Sequence, residues 1–129
     1  AAFWPYCWWR RNVGMRWIRK DDPDGRAPSR HPVEPFALRR TLSSHPLASR
    51  LVEAKLPKDE IYIDLHQEQP VESLLTTRVD GVDYPQAFVH RTEWQGTVAT
   101  YLPGHAASAI TTPGSLANVE AILRYLTSD

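Results

Sequence analysis

The sequence predicts an α/β chain in which short strands, two of them paired as an antiparallel hairpin, lead to a closing C-terminal helix. Three observations carry that reading. QAFVHR at 86–91 and GTVATYL at 96–102 are β-favouring runs on either side of TEWQ, the spacing of a hairpin with a four-residue loop. Ile61, Ile63 and Leu65 alternate with Tyr62, Asp64 and His66, the period of a strand with one buried face. Thr112 followed by Pro113 opens a helix with a side-chain cap and a proline in the first turn. Leu116, Val119, Ile122, Leu123 and Leu126 then recur at helical spacing, and this face is expected to pack on the sheet.

The remaining elements follow in chain order. The first twenty residues hold four of the five tryptophans and five cationic side chains, with no acid before Asp21. Large aromatics contribute most when buried, so Trp4, Trp8 and Trp9 are expected to have packed on a neighbouring element. DDPDGRAPSRHPVEP at 21–35 carries four prolines and a glycine, which denies it both helix and central strand. SSHPLASRL punctuates the chain again and leads through VEAKLP to a loop, after which Asp59 and Glu60 start the first strand. ESLLTTRV, beyond Pro70, suits a strand that DGVDYP breaks, and PGHAASAITT is irregular.

A length of 129 residues suits one domain, and a formal net charge of zero removes any global electrostatic case for nucleic acid or an anionic membrane. Neither is expected as a partner. No window approaches the about 18 consecutive apolar residues of a membrane-spanning helix. The single cysteine, Cys7, excludes an internal disulfide and a cysteine zinc cluster, which makes the cytoplasm the expected compartment. Cys7 also lacks the glycine-flanked turn of a nucleophile.

Five histidines, at 31, 45, 66, 90 and 105, show no metal-ligand spacing, and neither a metal nor another cofactor is expected. His31 and His45 precede prolines and read as loop histidines whose rings bond nearby backbone. His105 differs by position, because it follows a strand and precedes a helix start, where α/β proteins place ligands. Gly104 lets backbone approach a ligand, and Thr111 and Thr112 hydroxyls suit sugar hydroxyls or an anion.

HPL at 45–47, DEIYIDL at 59–65, VESLLTTRVDG at 71–81 and QAFVHRTEWQGTVATYLPGH at 86–105, followed by the helix, together resemble the ThuA-like (trehalose utilisation) family over about residues 29–129. The resemblance implies the C-terminal portion of a class I glutamine amidotransferase-like (flavodoxin-like) three-layer domain, with residues 1–28 as a tryptophan- and arginine-rich N-terminal remnant. It implies His105 as the catalytic group, in the place of the triad histidine, and a substrate site formed with Gly104, Asp59, Glu60, Tyr62 and Thr112. Ala107 stands where the triad acid would be, and Gln95 and Thr97 replace a glycine and an arginine, so glutamine hydrolysis is not expected. The implied ligand is a carbohydrate such as trehalose or a keto-disaccharide. The alternative is a non-catalytic carbohydrate-binding or interaction module of the same fold. The chain begins at Ala1 with its first methionine at Met15, so a missing N-terminal half, or a second copy, is expected to cover the tryptophan-rich face.

Overall fold

Two edges of one antiparallel ladder, at residues 30–33 and 60–63, determine where the polar groups of this protein meet. The computed structural model describes residues 4–128, with side chains from Cys7 onward, so the expectation for Trp4 falls on a side chain outside the described ones. Helix α1 (Trp4–Asn12) leads into β1 (Met15–Arg16), and after an irregular segment the chain forms β2 (Val33–Arg40). A 3-10 turn (Ala48–Arg50), β3 (Ala54–Glu60), β4 (His66–Gln67), β5 (Glu72–Val79), β6 (Val82–Arg91) and β7 (Thr97–Tyr101) follow. Short α2 (Ala107–Ile110) and α3 (Pro113–Thr127) close the chain. Five strands form one sheet in the order β3-β2-β5-β6-β7, with neighbouring strands antiparallel, and β1 pairs with β4 in a separate antiparallel ribbon. The chain is therefore mixed helix and sheet, with antiparallel sheets and a C-terminal helix.

The hairpin around TEWQ forms as its spacing predicts, with Val89 opposite Ala99 and Gln95 taking the left-handed conformation in the loop. A second hairpin is tighter. Asp80 and Gly81 both have positive φ (49° and 79°), the two-residue turn that lets β5 pair directly with β6 from Val79 and Val82 outward. DG thus turns the chain without ending the sheet. Pro85 lies in the half of β6 that β7 does not reach, where a missing N–H is tolerated.

The first strand lies earlier than the alternation at 61–65 suggests, since β3 ends at Glu60 and places Asp59 and Glu60 at its C-terminal end. Beyond it, Ile61 donates to the Pro32 carbonyl (2.8 Å) and Arg30 exchanges two bonds with Ile63 (3.0 and 2.9 Å). Pro32 has no N–H to give, so the ladder is reduced here to an isolated bridge. The alternation still governs burial: Ile61 and Ile63 are fully buried and Tyr62 faces the other way. Asp64, at φ 59°, ends the segment.

The main core gathers Phe36, Leu38, Leu56, Leu75, Val89 and their neighbours with Ile122 of α3. The face of α3 that packs is not the leucine row. Ser115, Asn118 and Ile122 are buried, whereas Leu116, Leu123 and Leu126 are 52%, 57% and 43% exposed. Polar pairing sets this rotation: Asn118 accepts from the Val52 N–H (2.7 Å) and donates to the Val52 carbonyl (3.1 Å), imitating a strand neighbour, and the Ser115 and Tyr101 hydroxyls lie 2.7 Å apart. The Thr112 cap and Pro113 start stand as the sequence predicts, with Thr112 Oγ1 accepting from the Ser115 N–H.

Gln86, Ala87, Phe88, Val89 and His90 are all buried, which requires cover on both faces of β6. Ala87 and Val89 belong to the core cluster, and on the opposite face His90 packs against Gly14 and meets the Arg11 carbonyl at 3.0 Å. Residues 12–18 supply that second cover, within the stretch read from sequence as a remnant: Val13, Met15 and Ile18 are buried. Trp8 stacks on Trp94 (6.2 Å), while Trp9 is half exposed.

Arg16 anchors this segment. Its buried guanidinium reaches Asp22 and Glu68 at 2.6 Å and Asp24 at 3.2 Å. The Arg16 hydrogen bond holds the Asp22 carboxyl below the usual range. Burial alone would raise that of Glu68, and bonds from Arg16 and Arg10 outweigh it, so it too is lowered. Replacing Arg16 takes the guanidinium from the buried Asp22 carboxylate and leaves Glu68 with Arg10 alone, so Arg16→Met lowers the unfolding free energy by about 3 kcal/mol, measured by urea denaturation. Carboxyls with lowered folded values stabilise above their unfolded values near about 4 and lose that contribution as pH falls. The thermal midpoint therefore drops on acidification below that range, and drops less in Arg16→Met; parallel curves would show that the network does not hold the fold.

Candidate functional site

In an antiparallel ladder, residues directly opposite share a face. With Arg30 opposite Ile63 and Val33 opposite Glu60, His31 comes opposite Tyr62, and both lie on the face of Glu60, away from Ile61 and Ile63. The pleat thus sets a histidine, a tyrosine and a glutamate side by side. Gln86 donates to the Tyr62 carbonyl (3.0 Å) and holds that backbone from below.

His105 arrives from the other end of the sheet, on the loop after β7. Gly104 takes φ +118°, and a Cβ there would lie 2.8 Å from Ile110, so both conformation and space require glycine. The loop is tied down by Asp59, a buried carboxylate that accepts the Ala106 N–H at 3.1 and 3.2 Å and the Glu60 N–H at 2.8 Å.

Tyr62 links the polar cluster that results. Tyr62 donates its one hydroxyl proton to Glu60 Oε2 (2.7 Å). His105 Nδ1 lies 3.2 Å from that hydroxyl oxygen and 3.5 Å from Glu60 Oε2. With that proton spent on Glu60, the Tyr62 oxygen is left to accept from Nδ1, which places the lone pair of a neutral ring at Nε2, while Glu60 stands at ion-pair distance only. A tyrosine backed by a carboxylate and bonded to one ring nitrogen leaves the other nitrogen for proton transfer. Burial first, and the hydrogen bond to Glu60 second, push the Tyr62 phenol up to about 12, so it remains a neutral donor at physiological pH. His31 Nδ1 approaches the other oxygen, Glu60 Oε1, at 3.8 Å, beyond hydrogen-bond length. Trp17 closes one side, edge-on to Tyr62 with ring centroids 5.7 Å apart and 6.0 Å from His31.

Of the residues singled out from sequence, Glu60, Tyr62 and His105 meet directly. Asp59 and Gly104 shape the loop that carries His105, and both Asp59 oxygens face backbone amides. Thr112 is engaged in capping α3, donating to the Ala109 carbonyl at 2.8 Å. The acid beside His105 is Glu60, forty-five positions earlier, which explains how the ring is supported although residue 107 is alanine. His31, read from sequence as a loop histidine bonding nearby backbone, instead faces Glu60 through the register across Pro32, and Trp17 was not singled out. His45, by contrast, behaves as its loop setting suggests, its Nδ1 accepting from the Leu47 N–H at 3.1 Å.

No family model, curated protein or solved structure matches this chain. Among the described residues no group of three or more His, Cys, Asp or Glu side chains is placed to hold a metal ion, and no helix is long and apolar enough to cross a membrane.

Two outcomes check the geometry. In 15N-resolved NMR the neutral His105 ring carries its proton on Nδ1, and an Nε2–H tautomer would contradict the cluster as drawn. Gly104→Ala forces an L-residue into the left-handed region against Ile110 and costs about 1–3 kcal/mol of stability, read by denaturant titration; an unchanged midpoint would show that the loop relaxes freely.

Proposed function

We propose that this chain acts on carbohydrate as a ThuA-like protein, with His105 as the acid–base group. The fold that goes with this reading is the C-terminal portion of a class I glutamine amidotransferase-like domain working in the cytoplasm. The observation that carries it is the Glu60–Tyr62–His105 cluster. The two motifs behind the family resemblance, one at 59–62 and the other at 104–105, converge on a single hydrogen-bonded group from opposite ends of the sheet. Such convergence is expected of a site and is not required by packing, since the His105 side chain is 57% exposed.

The chemistry follows from the proton positions. His105 Nε2 takes a proton from a sugar hydroxyl, or from a carbon next to a keto group, and the ring becomes an imidazolium. Glu60 stabilises that charge electrostatically from 3.5 Å, and Tyr62 keeps Glu60 oriented by donating to its Oε2. The proton returns from Nε2 to the product, so neither metal nor oxidant enters the balance.

Trehalose and its keto derivatives are the first substrates to test, with turnover followed by NMR. His105→Gln removes the proton acceptor and is expected to lower turnover by about a hundredfold or more, and Glu60→Gln to lower it by a smaller factor. Equal turnover in His105→Gln and parent overturns the catalytic role. The second reading, a carbohydrate-binding module without chemistry, is favoured by the openness of the site, where His31 and His105 are both more than half exposed. Binding of unaltered sugar with no product in the parent protein selects it.

A further inference from the structure

Trp17 is the least explained residue near this cluster. Its backbone is held on both sides: Arg16 is buried among carboxylates, and Ile18 is buried with its N–H given to Ser29 Oγ (2.8 Å) and its carbonyl accepting from the Ser29 N–H (3.0 Å). Ser29 Oγ in turn donates to the Asp64 carbonyl at 3.0 Å, tying the segment to the Ile61–Asp64 stretch. Between these two buried residues Trp17 remains 37% exposed. A large apolar ring on so firmly held a backbone is exposed by placement, not by slack.

Its surroundings define what could cover it. The ring stands edge-on to Tyr62 and beside His31, so it walls the half of the cluster that His105 does not occupy. On that half Glu60 Oε1 faces His31 Nδ1 at 3.8 Å and, among the described residues, accepts no hydrogen bond, while Oε2 is taken by Tyr62. An unused carboxylate oxygen beside a part-exposed indole suits a ligand with an apolar face and hydroxyl donors at its rim. The indole face carries partial negative charge and attracts the axial C–H groups of a pyranose, and the free carboxylate oxygen accepts a hydroxyl from the ring's edge. A purine would stack equally well but brings few donors to an oxygen acceptor at its rim.

We infer that Trp17, with Glu60 Oε1 and His31, forms the stacking subsite for one pyranose ring, next to the proton-transfer group. This rests on the carbohydrate reading above and adds to it the residue that seats the sugar.

The test is an NMR shift titration of the full chain with methyl glucoside, trehalose and, as the competing chemistry, adenosine. Trp17→Leu keeps apolar bulk without a π face and is expected to weaken saccharide binding about tenfold. Trp17→Phe is expected to retain most of the affinity, and its folded spectrum guards against a variant that fails through misfolding. Parent-like affinity in Trp17→Leu overturns the subsite and leaves the acid–base reading standing. Tighter binding of adenosine than of either sugar overturns the ligand class. A parent protein that binds neither sugar overturns both readings.

Discussion

A buried carboxylate, Asp59, joins the two halves of the candidate site. It receives amide hydrogens from Glu60 beside it and from Ala106, and Ala106 follows His105 directly. Burying a polar group is expensive, and these hydrogen bonds offset that expense. Because one of them comes from a loop that enters after β7, the carboxylate converts a local turn into a long-range constraint. Glu60 and His105 keep their distance because their neighbours share one acceptor.

A second constraint operates on the other face. Arg16 and its three carboxylates draw the N-terminal segment over β6 and leave Trp17 beside Tyr62. The two polar knots have opposite signs at their centres, an anion under His105 and a cation beneath Trp17. Each combines local partners with one distant in sequence, Ala106 for Asp59 and Glu68 for Arg16.

What was legible in the sequence was local. The 86–102 hairpin and the Thr112–Pro113 helix start depend on turn spacing and capping, which neighbours in the chain decide. Strands β2 and β3 were obscured because Pro32, Pro35 and Pro57 read as breakers, yet Pro57 lies on an edge strand where a missing N–H is tolerated. The face of α3 was misjudged for a related reason: hydropathy selects the leucine row, while Asn118 and Ser115 turn the helix by making bonds that composition does not reveal. Within the site, Glu60, Tyr62 and His105 were marked by their motifs. Their contact, and the arrival of His31 and Trp17, depend on a register set across a proline and a salt-bridge network, neither of which leaves a periodic trace.

The attachment of α3 through Asn118 has an evolutionary consequence. A helix seated by an amide that imitates a strand neighbour does not depend on its outward leucines for adhesion. Selection can therefore rewrite Leu116, Leu123 and Leu126 without loosening the scaffold, whereas position 118 tolerates no side chain that cannot both give and receive at Val52. Drift and constraint are separated onto two sides of a single helix.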